Sequence, residues 1–290
     1  MLNVLRWLSH RSLGVLHALG ALLGWAGYAL SGSYRRRVRA HAQLAGIDVA
    51  TRRAAVAQAG RMVAELPRLW LRPADRALQP AAQWQGAEHV EAALDAGRGL
   101  MILTPHLGAF EVVAQAYAER FGPRQPMTAL YRPAKQAWLR ELEATARHRP
   151  GLLTAPASLA GVRQMIRALR QGQTVGLLPD QVPPEGMGVW APFFGRPAYT
   201  MTLASRLALQ TGATVLLLIA QRRAQAGGWC VRVFEMREPL PAASAFAGDD
   251  LAHQTECAAV MNRAMEFLIR QCPAQYLWGY NRYKTPRRPA

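Results

Sequence analysis

The sequence predicts an α/β fold: a mainly parallel central sheet flanked by helices, with an apolar helix at the N-terminus for membrane attachment. Three observations carry this expectation. Short uninterrupted apolar runs recur from residue 98 onward, stretches of helical periodicity separate them, and about ninety mostly helical residues come first. Of the 290 residues, 51% are hydrophobic and 18% charged, a balance that supplies a core and excludes the disordered class. No interdomain linker interrupts the periodic stretches. The expected organisation is an anchor over residues 1–34 and one domain over residues 35–290.

In chain order, the first element is the uncharged stretch 12–30 (SLGVLHALGALLGWAGYAL), preceded by Arg6 and Arg11 and followed by Arg35, Arg36, Arg37 and Arg39. Its length is just enough to cross a bilayer core as a helix. Its glycines and His17 weaken that reading, leaving an interfacial helix or a buried one as alternatives. A cleaved signal peptide is a fourth reading, because Ala29 and Ser31 are small, but the stretch runs straight into arginine-rich sequence. Positive charge on both flanks leaves the orientation open. Attachment on the cytoplasmic face is the expectation.

The strands come next. Residues 100–104 (LMILT), 127–131, 174–178 (TVGLL) and 213–220 (ATVLLLIA) are apolar on both alternations, as strands covered on two faces require. Residues 158–170 form the clearest helix. Ser158 can cap it, Leu159, Val162, Ile166 and Leu169 share one face, and Gly172 can end it. Residues 202–210 and 251–270 behave similarly. In parallel sheets of this kind, ligands collect beyond the carboxyl ends of the strands.

The charge narrows the partners. There are 35 Lys+Arg against 18 Asp+Glu, a formal +17, and Lys135 and Lys284 are the only lysines. The arginines are spread along the whole chain without the aromatic-interleaved basic clusters of nucleic-acid binders, so no nucleic-acid partner is expected. A membrane surface or an acidic partner accounts for the excess. Cys230, Cys257 and Cys272 are odd in number and lack C-x-x-C spacing. They are expected to be packing residues of a reducing compartment, with neither disulfide nor metal site.

Candidate chemistry lies at the strand ends. His106 follows the first apolar run and Glu111 comes five residues later, with Pro105 and Gly108 to make a turn between them. Residues five apart on a regular helix point about 140° away from each other, so the two meet only if His106 sits in the turn. A carboxylate on an imidazole fixes its tautomer and stabilises the imidazolium, which is what a general base needs. The competing reading is a strand-end histidine beside a solvated helix-start glutamate. Tyr131 and Arg132 end a second run, where a guanidinium suits a phosphate, and Asp180 and Gln181 end a third. Both pairs could equally be loop-capping residues. The long segment 182–199, with Trp190, Phe193 and Phe194, reads either as the lining of an acyl channel or as a loop anchored to the core.

His106-x4-Glu111 resembles the H-x4-D/E motif of the glycerolipid and lysophospholipid acyltransferase superfamily. The ordered downstream set resembles its bacterial branch, the late acyltransferases of lipid A biosynthesis. That set is Tyr131-Arg132-Pro133, Leu178-Pro179-Asp180-Gln181, Phe193-Phe194-Gly195 with Thr200, and Gln275-Tyr276-Leu277-Trp278 with Arg282-Tyr283-Lys284-Thr285. Pro105 and Ala109 depart from the asparagines common in the family, which touches the turn rather than the acid and base. The resemblance implies that His106 is the base, that Glu111 orients it, and that Arg147, with Arg149 as competitor, serves the developing oxyanion. It implies substrate contacts at Tyr131, Arg132, Asp180, Gln181, Phe194 and Gly195, and direct attack of an acceptor hydroxyl on an acyl thioester. No serine nucleophile is needed, in keeping with the absence of a G-x-S-x-G elbow. The implied partners are an acyl-acyl carrier protein, with coenzyme A left open as donor, a phosphorylated glycolipid acceptor, and the bacterial inner membrane at its cytoplasmic face. No cofactor is implied beyond the thioester co-substrate. A lysophospholipid or aminolipid acceptor is the alternative, and a non-catalytic basic protein binding membrane or nucleic acid is the reading from another class.

Overall fold

The computed structural model describes residues 2–131, 136, 140 and 149–288. Helices α1 (Leu2–Ser9), α2 (Leu13–Leu30), α3 (Gly32–Leu44) and α4 (Val49–Trp70) come first. Then follow β1 (Gln83–Gln85), α5 (Ala87–Asp95), β2 (Leu100–Leu103), α6 (Phe110–Arg120), β3 (Met127–Tyr131), β4 (Leu152–Pro156), α7 (Leu159–Arg170) and β5 (Thr174–Leu177). The chain continues with β6 (Gly188–Phe193), β7 (Arg196–Met201), α8 (Leu203–Thr211), β8 (Thr214–Arg222), β9 (Trp229–Glu235) and α9 (Asp250–Gln271).

Seven strands form one sheet in the order β1-β9-β8-β2-β5-β3-β4, parallel throughout except where β9 meets β8. The fold class is the one the apolar runs predict. All four residues of β2 are essentially inaccessible to solvent, and they alternate between two cores. Met101 and Leu103 join the cluster containing Met165 of α7, Leu207 of α8 and Leu268 of α9. Leu100 and Ile102 join the one containing Val90 of α5 and Val112 of α6. A strand clothed on both faces cannot show a period of two, so it reads as an unbroken apolar run. Each such side chain contributes about 1.5–3 kcal/mol by leaving water.

In α7, Ser158 caps as expected, its hydroxyl accepting from the Gly161 N–H at 3.4 Å. Leu159 departs from expectation: it is the first residue of the helix and stays on the surface, while Gly161, Met165, Ala168 and Leu169 form the buried face. The segment 182–199 departs more. Much of it belongs to an antiparallel β6–β7 hairpin, with Phe193 opposite Arg196 and the pair Phe194-Gly195 as a two-residue turn, both at positive φ.

Among the described residues, α2 is the one helix long and apolar enough to cross a membrane by length and composition. One side of it lies close against α4: a Cβ on Gly60 would strike the carbonyl oxygen of Gly20, and one on Gly24 the carbonyl of Val56. Such backbone approach is what glycine permits between helices. On the other side Leu22, Leu23, Trp25 and Leu30 are exposed.

Candidate active site

The β2–β5 register brings the chemistry together. Leu103 of β2 stands beside Leu177 of β5, and the Thr104 N–H donates to the Leu177 carbonyl at 3.1 Å. His106 and Asp180, each three residues beyond its strand, therefore meet at the carboxyl edge of the sheet. His106 Nδ1 lies 2.7 Å from Asp180 Oδ1, and the His106 backbone N–H donates to Oδ2 at 3.0 Å. A carboxylate only accepts, so Nδ1 carries the proton and the neutral ring keeps its lone pair on Nε2. Among the described residues nothing hydrogen-bonds Nε2.

This corrects one expectation. The carboxylate on Nδ1 is Asp180, 74 residues downstream, and the orienting position read for Glu111 is occupied by it. Glu111 is half-buried in the first turn of α6, where a negative charge suits the helix dipole. The reason is the parallel sheet: a neighbouring strand end reaches the imidazole more directly than the next helix does.

Asp180 is buried, at 2% exposure. Burial alone would raise its carboxyl. The attraction of the His106 imidazolium, when that ring is protonated, and the two hydrogen bonds from His106, with Arg282 beyond, outweigh burial and hold the carboxyl below its ordinary value. Tyr276, from the closing segment, is fully buried, and its phenol is pushed far up by burial and by the negative charge of Asp180 beside it. It is therefore a protonated donor at any working pH. Arg282 is also buried. It donates to the Tyr199 carbonyl at 2.7 Å, to Thr200 Oγ1 at 2.7 Å and to Asn262 Oδ1 at 3.2 Å, tying the hairpin to α9.

The other expected site residues divide. Tyr131 ends β3, which pairs with β5, and so stands on the same sheet edge; its carbonyl accepts from the Ala157 N–H at 2.9 Å. Gln181 follows Asp180 and is half-buried. Phe194 belongs to the core, its ring 5.8 Å from that of Trp278 and its N–H donating to Glu266 Oε1 at 2.6 Å, which is the anchoring role. Gly195, which is exposed, completes that hairpin turn. Arg132 and Arg147 lie outside the described residues. Arg149, the competitor to Arg147, is buried beneath the end of α4 and donates to the carbonyls of Leu69 at 2.9 Å, Arg72 at 3.0 Å and Pro73 at 3.3 Å. Burial brings its pKa down to about 10.

Asp180 as the hydrogen-bond partner of His106 Nδ1, with Tyr276 and Arg282 near it, is the arrangement that sequence reasoning missed. The sequence shows Asp180 as a strand-end polar residue and the closing segment as polar and aromatic; their meeting with His106 depends on the β2–β5 register.

The fold and site define a class: an α/β protein with a histidine–carboxylate pair at the carboxyl ends of adjacent parallel strands, suited to proton abstraction. A family model described as bacterial lipid A biosynthesis acyltransferase matches residues 50–285. The chain belongs to that family. It is 27% identical over 233 residues to the lipid A biosynthesis palmitoleoyltransferase of Escherichia coli K12, covering 78% of this chain and 69% of that protein. The lauroyltransferase of the same organism is 27% identical over 74% of this chain and 66% of its own length. Its myristoyltransferase is 27% identical over 80% and 66%.

Proposed function

We propose that the protein moves a fatty acyl chain from acyl carrier protein to a hydroxyl of a lipid A precursor. His106 Nε2 takes the proton of the acceptor hydroxyl as its oxygen attacks the thioester carbonyl carbon. Asp180 stabilises the imidazolium that results. The tetrahedral oxyanion then collapses, the carbon–sulfur bond breaks, and the imidazolium returns the proton to the departing thiolate. An ester and a free carrier thiol remain, and His106 is neutral again. No cofactor enters this sequence. The observation that carries the proposal is the 2.7 Å His106–Asp180 contact, because it leaves Nε2 as the basic nitrogen.

The charge of +17 supports an acidic carrier protein and a phosphorylated glycolipid as the two substrates. The exposed apolar side of α2, flanked by Arg6, Arg11, Arg35 and Arg36, supports attachment to the cytoplasmic face of the bacterial inner membrane. The test is the lipid A mass spectrum of cells with and without the gene. The expected difference is one acyl chain, restored by the wild type and not by His106→Ala. Unchanged lipid A with an altered phospholipid profile would move the acceptor to a lysophospholipid or aminolipid, and full restoration by His106→Ala would reject the base.

A further inference from the structure

The turn that carries His106 is also gripped by a buried charge pair, Arg222 and Glu65. Arg222, the last residue of β8, is buried, and its guanidinium donates to the Gly108 carbonyl at 2.6 Å. The same guanidinium donates through Nε to Glu65 Oε1 of α4 at 2.9 Å. Gln275 locks the two segments together. Its side chain accepts from the Arg222 N–H at 2.9 Å and donates to the Arg222 carbonyl at 3.0 Å, while its own carbonyl accepts from the Gly108 N–H at 3.0 Å. The Ala109 N–H donates to the Ala220 carbonyl at 2.8 Å. Gly108 has φ +61°, and a Cβ there would strike the Ala220 carbonyl oxygen, so the turn fits in this one arrangement.

Glu65 is 1% exposed and fully partnered. Its second oxygen accepts from Trp229 Nε1 and from His17 Nε2 of α2, each at 3.3 Å. Burial would raise this carboxyl, but Arg222, with His17, outweighs it and holds it low. Buried ion pairs are poor devices for stability, since apolar residues of similar volume do as well or better. They do fix geometry. Here Arg222 Nη2, itself 2.9 Å from Glu65 Oε1, meets the carbonyl two residues after His106, while Nη1 lies 3.5 Å from Gln58 Oε1.

We propose that Glu65 and Arg222 are positioning residues: the carboxylate aligns the guanidinium, the guanidinium holds the Gly108 carbonyl, and the turn so held directs His106 Nε2 toward the acceptor hydroxyl. His17 extends the chain of contacts to α2, so the seating of that apolar helix bears on the same turn. The inference rests on His106 being the base of the proposed acyl transfer.

The experiment compares wild type with the double variant Glu65→Gln/Arg222→Met, which removes both charges together, and with Arg222→Lys, which keeps the charge but offers a single point donor in place of the fork. All three are purified full-length and assayed at saturating and limiting donor and acceptor. The expected result is a fall in kcat of about 100-fold in the double variant, the scale of a misplacement of about 1 Å. KM for both substrates stays within about twofold, and Arg222→Lys is intermediate. In parallel, the proton resonance of the His106–Asp180 hydrogen bond, assigned by its loss in His106→Gln, shifts or broadens in both variants. A kcat within twofold of wild type, or a loss that only tracks the folded fraction, overturns the proposal. So does an unchanged resonance in Arg222→Lys, which decides the matter even if the double variant does not fold. Wild type without any acyl transfer rejects the function instead, and leaves the resonance to judge the positioning.

Discussion

Asp180 receives two hydrogen bonds from one residue, the Nδ1–H and the backbone N–H of His106, one on each carboxylate oxygen. The acid therefore sets both the tautomer of the imidazole and the path of the chain that bears it. Replacing it by asparagine leaves one acceptor and one donor where there were two acceptors, which disfavours the Nδ1–H tautomer. Asp180→Asn should lower kcat by about 100-fold or more, His106→Ala by about 10²–10⁴-fold, and Glu111→Gln by less than Asp180→Asn. Steady-state acyl transfer with circular dichroism as a fold control decides it. A larger loss in Glu111→Gln would return the orienting role to that residue.

Acid should unfold the protein in two stages. His41 is buried with Nδ1 2.9 Å from the Trp278 carbonyl, and burial lowers its pKa. A base with a depressed folded pKa contributes stability above its unfolded value, about 6.5, and loses it as pH falls toward the folded value. Asp180 and Glu65 are also depressed, despite burial, by His106 and Arg222 respectively. Their contribution is complete above the unfolded carboxylate values, about 4, and is lost as pH falls through the folded ones. A melting temperature followed from pH 8 to 3 should first decline below about 6.5 and then drop below about 4. His41→Gln should remove the first decline; if both persist in that variant, the assignment fails.

Two glycine substitutions separate contact from propensity. A Cβ on Gly60 meets the Gly20 backbone, whereas one on Gly27 meets nothing within 4 Å. Gly60→Ala should destabilise by about 1–3 kcal/mol through overpacking between α2 and α4. Gly27→Ala should stabilise by about 0.5–1 kcal/mol, the ordinary gain of alanine in a helix. Chemical denaturation of the two variants tests the seam, and equal effects would argue against it.

Arg149→Met should weaken folding by about 1.5–3 kcal/mol, because it strips charge-assisted hydrogen bonds from the carbonyls closing α4. The activity of the folded fraction should be unchanged. A fall in kcat with normal stability would instead place Arg149 at the reacting thioester.

The strands β2, β3, β5 and β8 were legible because burial on both faces writes an uninterrupted apolar run. The hairpin was not, since its prolines and aromatics read as loop and its turn depends on Phe194 and Gly195 taking positive φ. His106 was legible from its place after such a run. The partner of His106 was not, because Asp180 becomes its neighbour only through the β2–β5 register, and sequence spacing favours the nearer Glu111. Arg222 and Glu65 carried no signal at all: a strand-end arginine and a mid-helix glutamate look like surface charge until the fold buries them.

The insertion of β5 between β2 and β3 has a consequence for how the enzyme comes into being. β2 and β3 follow one another in the chain but leave a slot between them, filled by a strand some 40 residues later. A chain emerging in order from its N-terminus carries His106 well before the strand that delivers its acid. Closing that slot is a late, long-range event of the slow kind. In the proposed mechanism the base and its acid therefore meet only once β5 has taken its place in the sheet.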